Sequence, residues 1–360
     1  MLRSEVPTPA LLVDIEALDR NIAVMREAAQ AMGVSLRPHA KTHKCVEIAQ
    51  RLAAAGSIGI SCATIGEAEA MALGGLRGIL ITAPLTTAQA LDRLRCLLLR
   101  GADVAIVADH PENVPPLASI AAATGRTLPV LIDVDVGLGR TGCLDAGAAV
   151  TIAKRIASAS SLRFSGVQAY WGHLQQVMPF SERTRRVGEQ VERLRVVIAA
   201  LGDAGLPPPI VSGGGTGSHR IDGASGIFTE LQPGSFLFLD SCYGAVPLSE
   251  TGNPFTPSLF VAAAVVSANK PGRLIVNGGY KAFATDSGKP VAMRGGPTGA
   301  VYSFMGDEHG ALDFHGSSPP LGAIIEFLTS HCDPTVNLYS QIYVVRGDEV
   351  VDIWQIRSRY

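Results

Sequence analysis

The sequence predicts an α/β protein: a (β/α)8 barrel followed by an antiparallel β domain. Three observations predict it. Apolar, strand-like runs alternate with helix-like stretches over the first two thirds of the chain. Eight such runs fall within about 210 residues, slightly under the usual size of a barrel. From about residue 245 the helical stretches fade, and the remaining runs are joined by Gly, Pro, Asn and Asp turns.

In chain order the barrel runs are GVSLRPHA, GSIGISCAT, RGILITAP, DVAIVAD, LPVLIDVDVG, FSGVQAYWG, PPPIVSGGG and ELQPGSFLFL. Between them lie VEIAQRLAAAG, GEAEAMALGG, TTAQALDRLRCLLLRG, GAAVTIAKRIASAS and SERTRRVGEQVERLRVVIAALGDAG. The last has apolar residues at helical spacing and charges on the other face. Strands separated by helices pair in parallel. A doubly wound open sheet is the alternative, but no GxGxxG follows the first run. The barrel is expected over residues 15–245. The first helix there is IEALDRNIAVMREAAQAMG. FVAAAVVSANKPGRLIVNGGYKAF, TGAVYSFMGDEHGALDF, AIIEFLTSHCDPTVNLY and SQIYVVRGDEVVDIWQIRSR form the β domain, residues 246–360. The opening segment, residues 1–14, contains PTPALLVDI, which has no obvious barrel partner and is assigned to the same domain.

Composition excludes several classes of function. With 47% hydrophobic and 17% charged residues, the chain can build a large core. A net charge of -2 argues against nucleic acid as a partner. No signal-peptide pattern opens the chain and no apolar run spans a bilayer, so no membrane association is expected. The six cysteines have no paired spacing, which favours reduced thiols and a cytoplasmic protein.

Barrel chemistry collects at the C-terminal ends of the strands. Lys41 ends the first run, flanked by His39, His43 and Lys44. Asp135 and Arg140 end the fifth. Gln168, Tyr170 and His173 end the sixth. SGGGTGSH, with Gly214, Gly215 and Thr216, ends the seventh, and QPGS (Gln232 to Ser235) opens the eighth. The Gly-rich loop has the character of a phosphate cradle, because glycines let backbone N–H groups approach an anion. It is not a P-loop, and a plain flexible loop is the competing reading. A desolvated lysine beside cationic groups has a lowered pKa and forms Schiff bases. A lysine facing a phosphate cradle points to pyridoxal phosphate. Arg140 would then donate to the cofactor's phenolate oxygen, or be an ordinary loop arginine. Tyr170 would contact the ring, or fill the barrel mouth.

HCDPTVNLY lies far downstream. In an extended segment His331 and Asp333 share one face and Cys332 points away. Such a pair makes half a site for a divalent cation, with water completing the shell. Mixed N/O donors favour Mn²⁺ or Mg²⁺ over structural zinc. GDEHG (Asp307, Glu308, His309) is either an outer layer of that site or a solvated hairpin.

With these residues in hand, the chain resembles the pyridoxal-phosphate enzymes of the alanine racemase-like fold (fold type III). More narrowly it resembles the D-threonine aldolase and D-serine dehydratase-like family. TPALLVDIEALDRNI, RPHAKTHK, DVGLGRTG, GVQAYWGHLQ, SGGGTGS, LQPGSF and HCDPTVNLY carry the resemblance over nearly all of the chain. It implies that Lys41 is the Schiff-base lysine and that Gly214, Gly215 and Thr216 hold the phosphate. It also implies that Arg140 lies near the cofactor oxygen, and that His331 and Asp333 are the metal pair. Aspartate at 333, where the family's D-serine dehydratases have cysteine, implies the aldolase branch, with Mn²⁺ favoured and Mg²⁺ or Co²⁺ as alternatives. The implied reaction is retro-aldol cleavage of a small-molecule D-β-hydroxy-α-amino acid of the D-threonine type to glycine and an aldehyde, in a homodimer. A 3-hydroxy-D-aspartate aldolase, or a dehydratase acting on D-serine or D-threo-3-hydroxyaspartate, shares these parts. An amino-acid racemase shares the barrel and lysine but leaves the His/Asp pair idle, and a non-catalytic pyridoxal-phosphate-binding protein of this kind usually lacks a long β domain. Without the resemblance, a phosphate-sugar enzyme on an ordinary barrel is the remaining reading.

Overall fold

The computed structural model describes residues 1–358. The last two residues of the expected β domain, Arg359 and Tyr360, lie outside the described residues. After a 3-10 turn at Arg3–Glu5, the first strand, β1 (Ala10–Asp14), runs directly into helix α1 (Ile15–Met32). Asp14 ends the strand and caps the helix, its carboxylate accepting from the amides of Glu16 at 3.1 Å and Ala17 at 3.0 Å.

Eight parallel strands follow: β2 (Ser35–Leu36), β3 (Ile60–Cys62), β4 (Ile79–Ile81), β5 (Val104–Ala108), β6 (Leu128–Val134), β7 (Leu162–Ala169), β8 (Val211–Gly213) and β9 (Glu230–Leu231). Seven helices alternate with them: α2 (Val46–Ala54), α3 (Ile65–Leu73), α4 (Ala88–Leu99), α5 (Val114–Thr124), α6 (Ala146–Ser158), α7 (Phe180–Asp203) and α8 (His219–Ala224). The strands pair in chain order from β3 to β9, and β9 pairs back onto β2. The residues after Leu36 close the ring, through a parallel bridge between His39 and Ser61. The helical layer is completed by α1, packed beside α8 and a 3-10 turn over Ser235–Leu237.

That 3-10 turn corrects one expectation. ELQPGSFLFL is not a full strand: pairing stops at Leu231. Pro233 has no amide to give a ladder, and Gly234 turns the chain. The short helix α9 (Ser241–Gly244) then leads out of the barrel.

The C-terminal part is built from β10 (Leu259–Lys270), β11 (Arg273–Val276), β12 (Val291–Arg294), β13 (Val301–Phe304), β14 (Gly310–Asp313), β15 (Ile324–Leu328), β16 (Gln341–Arg346) and β17 (Glu349–Gln355). With β1 they make a nine-stranded sheet. Its pairs are antiparallel except one: β1 lies parallel to β16 and antiparallel to β10. The domain is therefore mixed rather than purely antiparallel, because β1 is inserted between strands that come much later in the chain. A five-residue helix, α10 (Cys332–Val336), follows β15.

The buried core is nearly continuous across both parts. Asn21 of α1 ties them further, donating to the carbonyls of Leu237 and Thr256 and accepting from the Thr256 amide. No helix of the described residues is long and apolar enough to cross a membrane.

Candidate active site

The C-terminal ends of the barrel strands open toward the β domain. Lys41 sits in a 3-10 turn (Ala40–Thr42) that follows β2. Its ammonium donates to the Asp333 carboxylate across the domain boundary. Thr42 Oγ1 donates to the same carboxylate oxygen at 3.4 Å. The other oxygen, Asp333 Oδ2, is buried with no partner among the described residues. Lys41, Asp333 and His331 line one cleft of about 680 Å³ together with Glu67, Tyr280 and Asp286.

The surroundings of Lys41 differ from the sequence-based expectation. Burial pulls the amine down, but the Asp333 carboxylate together with Tyr170 and Glu67 outweighs it and the net shift is upward. Nor are the flanking histidines cationic. Burial, with Lys41 next, lowers His39 to about 3, and burial lowers His43 to about 4. His39 bridges Thr82 Oγ1 at 3.2 Å and accepts from the Lys41 amide at 3.3 Å. His43 accepts from the Cys45 amide at 3.1 Å. Lys44 pairs with Glu67 at 3.3 Å. The basic cluster is thus two neutral rings and two lysines, each lysine held by a carboxylate.

Tyr170 and Arg140 stand beside Lys41. The Arg140 guanidinium lies over the Tyr170 ring, 5.6 Å from its centroid. Burial raises the Tyr170 phenol, while Lys41 and Arg140 pull it down. Arg140 rides on a turn built by Asp135, whose carboxylate accepts from the amides of Gly137, Leu138 and Gly139. Gln168 is buried and donates to Asp133 at 2.9 Å. His173 is exposed, on the rim.

The Gly-rich loop is buried and held from behind. Asp222 accepts from Trp171 Nε1, Ser218 Oγ and the Gly215 amide. Gln175 accepts from the Gly217 amide at 2.8 Å and donates to Ser218 at 2.8 Å. Thr216 Oγ1 accepts from the Phe236 amide at 3.0 Å. A Cβ on Gly214 would strike Asp222, and one on Gly215 would strike Gln175. Gly214 is also in the left-handed region, and neither position has room for a side chain unless Asp222 or Gln175 moves. Such a cradle fits a phosphate.

His331 and Asp333 are arranged differently from the extended segment expected. His331 is extended, but Cys332–Val336 is a helix, with Asp333 and Pro334 in its first turn. Proline is tolerated there because the first-turn amides have no helical partner. Asp240 supplies what the local sequence does not show. Its Oδ2 accepts from the Cys332 amide at 2.9 Å, and its Oδ1 from the Tyr243 amide at 3.0 Å. Both His331 and Asp333 still face the cleft. Among the described residues no three His, Cys, Asp or Glu side chains converge as a preformed metal site. A cation here would have two protein donors, and the unpartnered Asp333 Oδ2 fits it. GDEHG is a solvated hairpin tip between β13 and β14, where Asp307 and Glu308 meet Lys281.

Sequence reasoning missed Asp286, Asp240, Asp222, Gln175 and Thr335. Each makes a contact with a segment distant in the chain, and although Gln175 and Thr335 lie within GVQAYWGHLQ and HCDPTVNLY, nothing local marks their role.

A (β/α)8 barrel with a lysine after its first strand, a buried glycine cradle after its seventh and a β-sheet domain over the mouth defines the alanine racemase-like, pyridoxal-phosphate fold class. The alanine racemase N-terminal domain model matches residues 13–242, and a serine dehydratase domain model matches residues 258–345. The chain belongs to the family that includes the D-threonine and 3-hydroxy-D-aspartate aldolases. It is 35% identical to a 3-hydroxy-D-aspartate aldolase of Paracoccus denitrificans, covering 100% of this chain and 94% of the relative. It is 36% identical to a D-threonine aldolase of an Arthrobacter species, over 99% and 93% of the two chains. The crystal structure of D-threonine aldolase from Filomicrobium marinum superposes with a TM-score of 0.96 at 36% identity, covering 100% of this chain and 97% of that one.

Proposed function

We propose that this protein is a lyase that cleaves a D-β-hydroxy-α-amino acid of the D-threonine type to glycine and an aldehyde, with pyridoxal phosphate and a divalent cation. The observation that carries the reading is the meeting of Lys41 with His331 and Asp333 on one cleft wall. A barrel lysine alone would serve a racemase equally well.

Lys41 would hold the cofactor, with Gly214, Gly215 and Thr216 around its phosphate and Arg140 and Tyr170 beside its ring. When bound, pyridoxal phosphate supplies an electron sink for charge at Cα. A cation held by His331 and Asp333, with Mn²⁺ favoured, supplies Lewis acidity at the β-hydroxyl. In the reaction the β-hydroxyl loses its proton, the Cα–Cβ electron pair passes to the Cα side, and the aldehyde leaves. Cα then takes a proton to give glycine. Asp333 is suited to its part because Lys41 holds its carboxyl below the usual range, against the effect of burial. The protein acts in the cytoplasm as a homodimer in this reading.

Product analysis tests it. Protein, pyridoxal phosphate, Mn²⁺ and D-threonine should yield acetaldehyde and glycine. 2-Oxobutyrate and ammonia would instead mean that Lys41 removes the Cα proton and hydroxide leaves, a dehydratase. Full activity in excess chelator, with no metal left on the protein, would remove the cation from the reading.

A further inference from the structure

His331 Nδ1 lies 2.6 Å from Asp286 Oδ2. Asp286 belongs to a loop between β11 and β12, 45 residues before His331 in the chain. That loop is pinned to α10. The buried Thr335 hydroxyl donates to the His331 carbonyl at 2.7 Å, and its oxygen accepts from the Ala284 amide at 3.1 Å. Ser330 Oγ donates to the Ala284 carbonyl at 3.4 Å, and Ser287 Oγ donates to Asp286 Oδ2 at 3.0 Å. One threonine therefore fixes the spacing between the backbone that carries His331 and the loop that carries Asp286.

We propose that Asp286 is a positioning residue for His331. It selects the ring tautomer with the proton on Nδ1 and leaves the Nε2 lone pair for a divalent cation. The inference rests on the cation-binding role proposed above for His331 and Asp333. A carboxylate only accepts, so the ring nitrogen facing it carries the hydrogen. A neutral imidazole has one N–H, so the remote nitrogen keeps its lone pair, as a metal ligand must. The hydrogen bond also stops rotation of the ring, as outer-layer carboxylates do at metal sites generally. With only two protein donors available, the orientation of one ring is a large part of the affinity.

The test is Mn²⁺ binding to the pyridoxal-phosphate-loaded protein, read from the electron paramagnetic resonance signal of free aqueous Mn²⁺. Asp286→Ala should weaken Mn²⁺ binding about 10- to 100-fold. Its cofactor absorption and melting temperature should match the wild type. Asp286→Asn keeps a carbonyl acceptor for the Nδ1 proton but loses the charge, and should recover part of the affinity. Wild-type-like binding by Asp286→Ala would overturn this role while leaving the cation reading intact. Equal loss in both variants would show that charge, not ring orientation, is what Asp286 contributes, and would overturn it too. Failure of the wild type itself to bind Mn²⁺ would remove the cation reading and this proposal with it.

Discussion

The Lys41 ammonium is held by the Asp333 carboxylate, one residue from each domain. Burial lowers the Lys41 amine, and Asp333, with Tyr170 and Glu67, more than reverses this, so the amine stays protonated to higher pH than an ordinary lysine. Only the free amine attacks an aldehyde. Pyridoxal phosphate uptake by the cofactor-free protein should therefore speed up as pH rises from neutral into the lysine range. Asp333→Asn removes the main hold on the proton and should quicken uptake at neutral pH, followed as growth of the visible absorption. Unchanged uptake in Asp333→Asn would show that the pair does not govern the amine. Lys41→Ala should show no such absorption at all.

Asp222 gives a pH dependence of stability. Burial, only partly offset by Ser218, Trp171 and the Gly215 amide, pushes its carboxyl up to about 7. Its contribution to stability is full below the ordinary carboxylate value and is lost as pH rises through about 7. Three units correspond to on the order of 4 kcal/mol. The wild type should lose melting temperature between pH 4 and pH 8 relative to Asp222→Asn. Parallel curves would mean that Asp222 ionises like an exposed carboxylate.

Gly217 tests the cradle by sterics. A Cβ there would strike the Gln175 carbonyl. Gly217→Ala should cost about 1–3 kcal/mol by overpacking and should weaken cofactor binding, measured by titration of absorbance. Gly188, in the middle of α7, has nothing within 4 Å of a Cβ. Gly188→Ala should be neutral or stabilising by up to about 1 kcal/mol.

Asp240 caps two short helices at once. Asp240→Ala leaves the Cys332 and Tyr243 amides without their acceptor, at about 1–3 kcal/mol each if no water replaces it. Denaturant unfolding should show the loss. Asp240→Asn, with one carbonyl oxygen, should recover about half of it.

Much of the barrel is legible in the sequence because each strand is an apolar run ended by glycine, proline or charge. Lys41 stands out because lysine is scarce in the chain, and SGGGTGSH because four glycines crowd into eight residues. The path of HCDPT was misread for a physical reason. Its helix begins under a cap from Asp240, about 90 residues away, so a local alternation rule saw only HxD. Asp286 was invisible for the same reason: in FATDSG it looks like any turn aspartate. The lysine pKa failed on a different point. Neighbouring basic residues in sequence suggested mutual repulsion, whereas burial discharged the histidines and the fold brought in Asp333.

The position of β1 has a consequence for synthesis on the ribosome. Its partners, β10 and β16, begin at Leu259 and Gln341. At about 5–20 residues per second, β1 waits tens of seconds for its second partner. Until β10 emerges the barrel can assemble while the apolar strand leading into its first helix has both edges unpaired, and until β16 emerges one edge stays open. That interval is when a nascent chain is most exposed to aggregation and to chaperone capture, and translation speed between β1 and β16 sets how long it lasts.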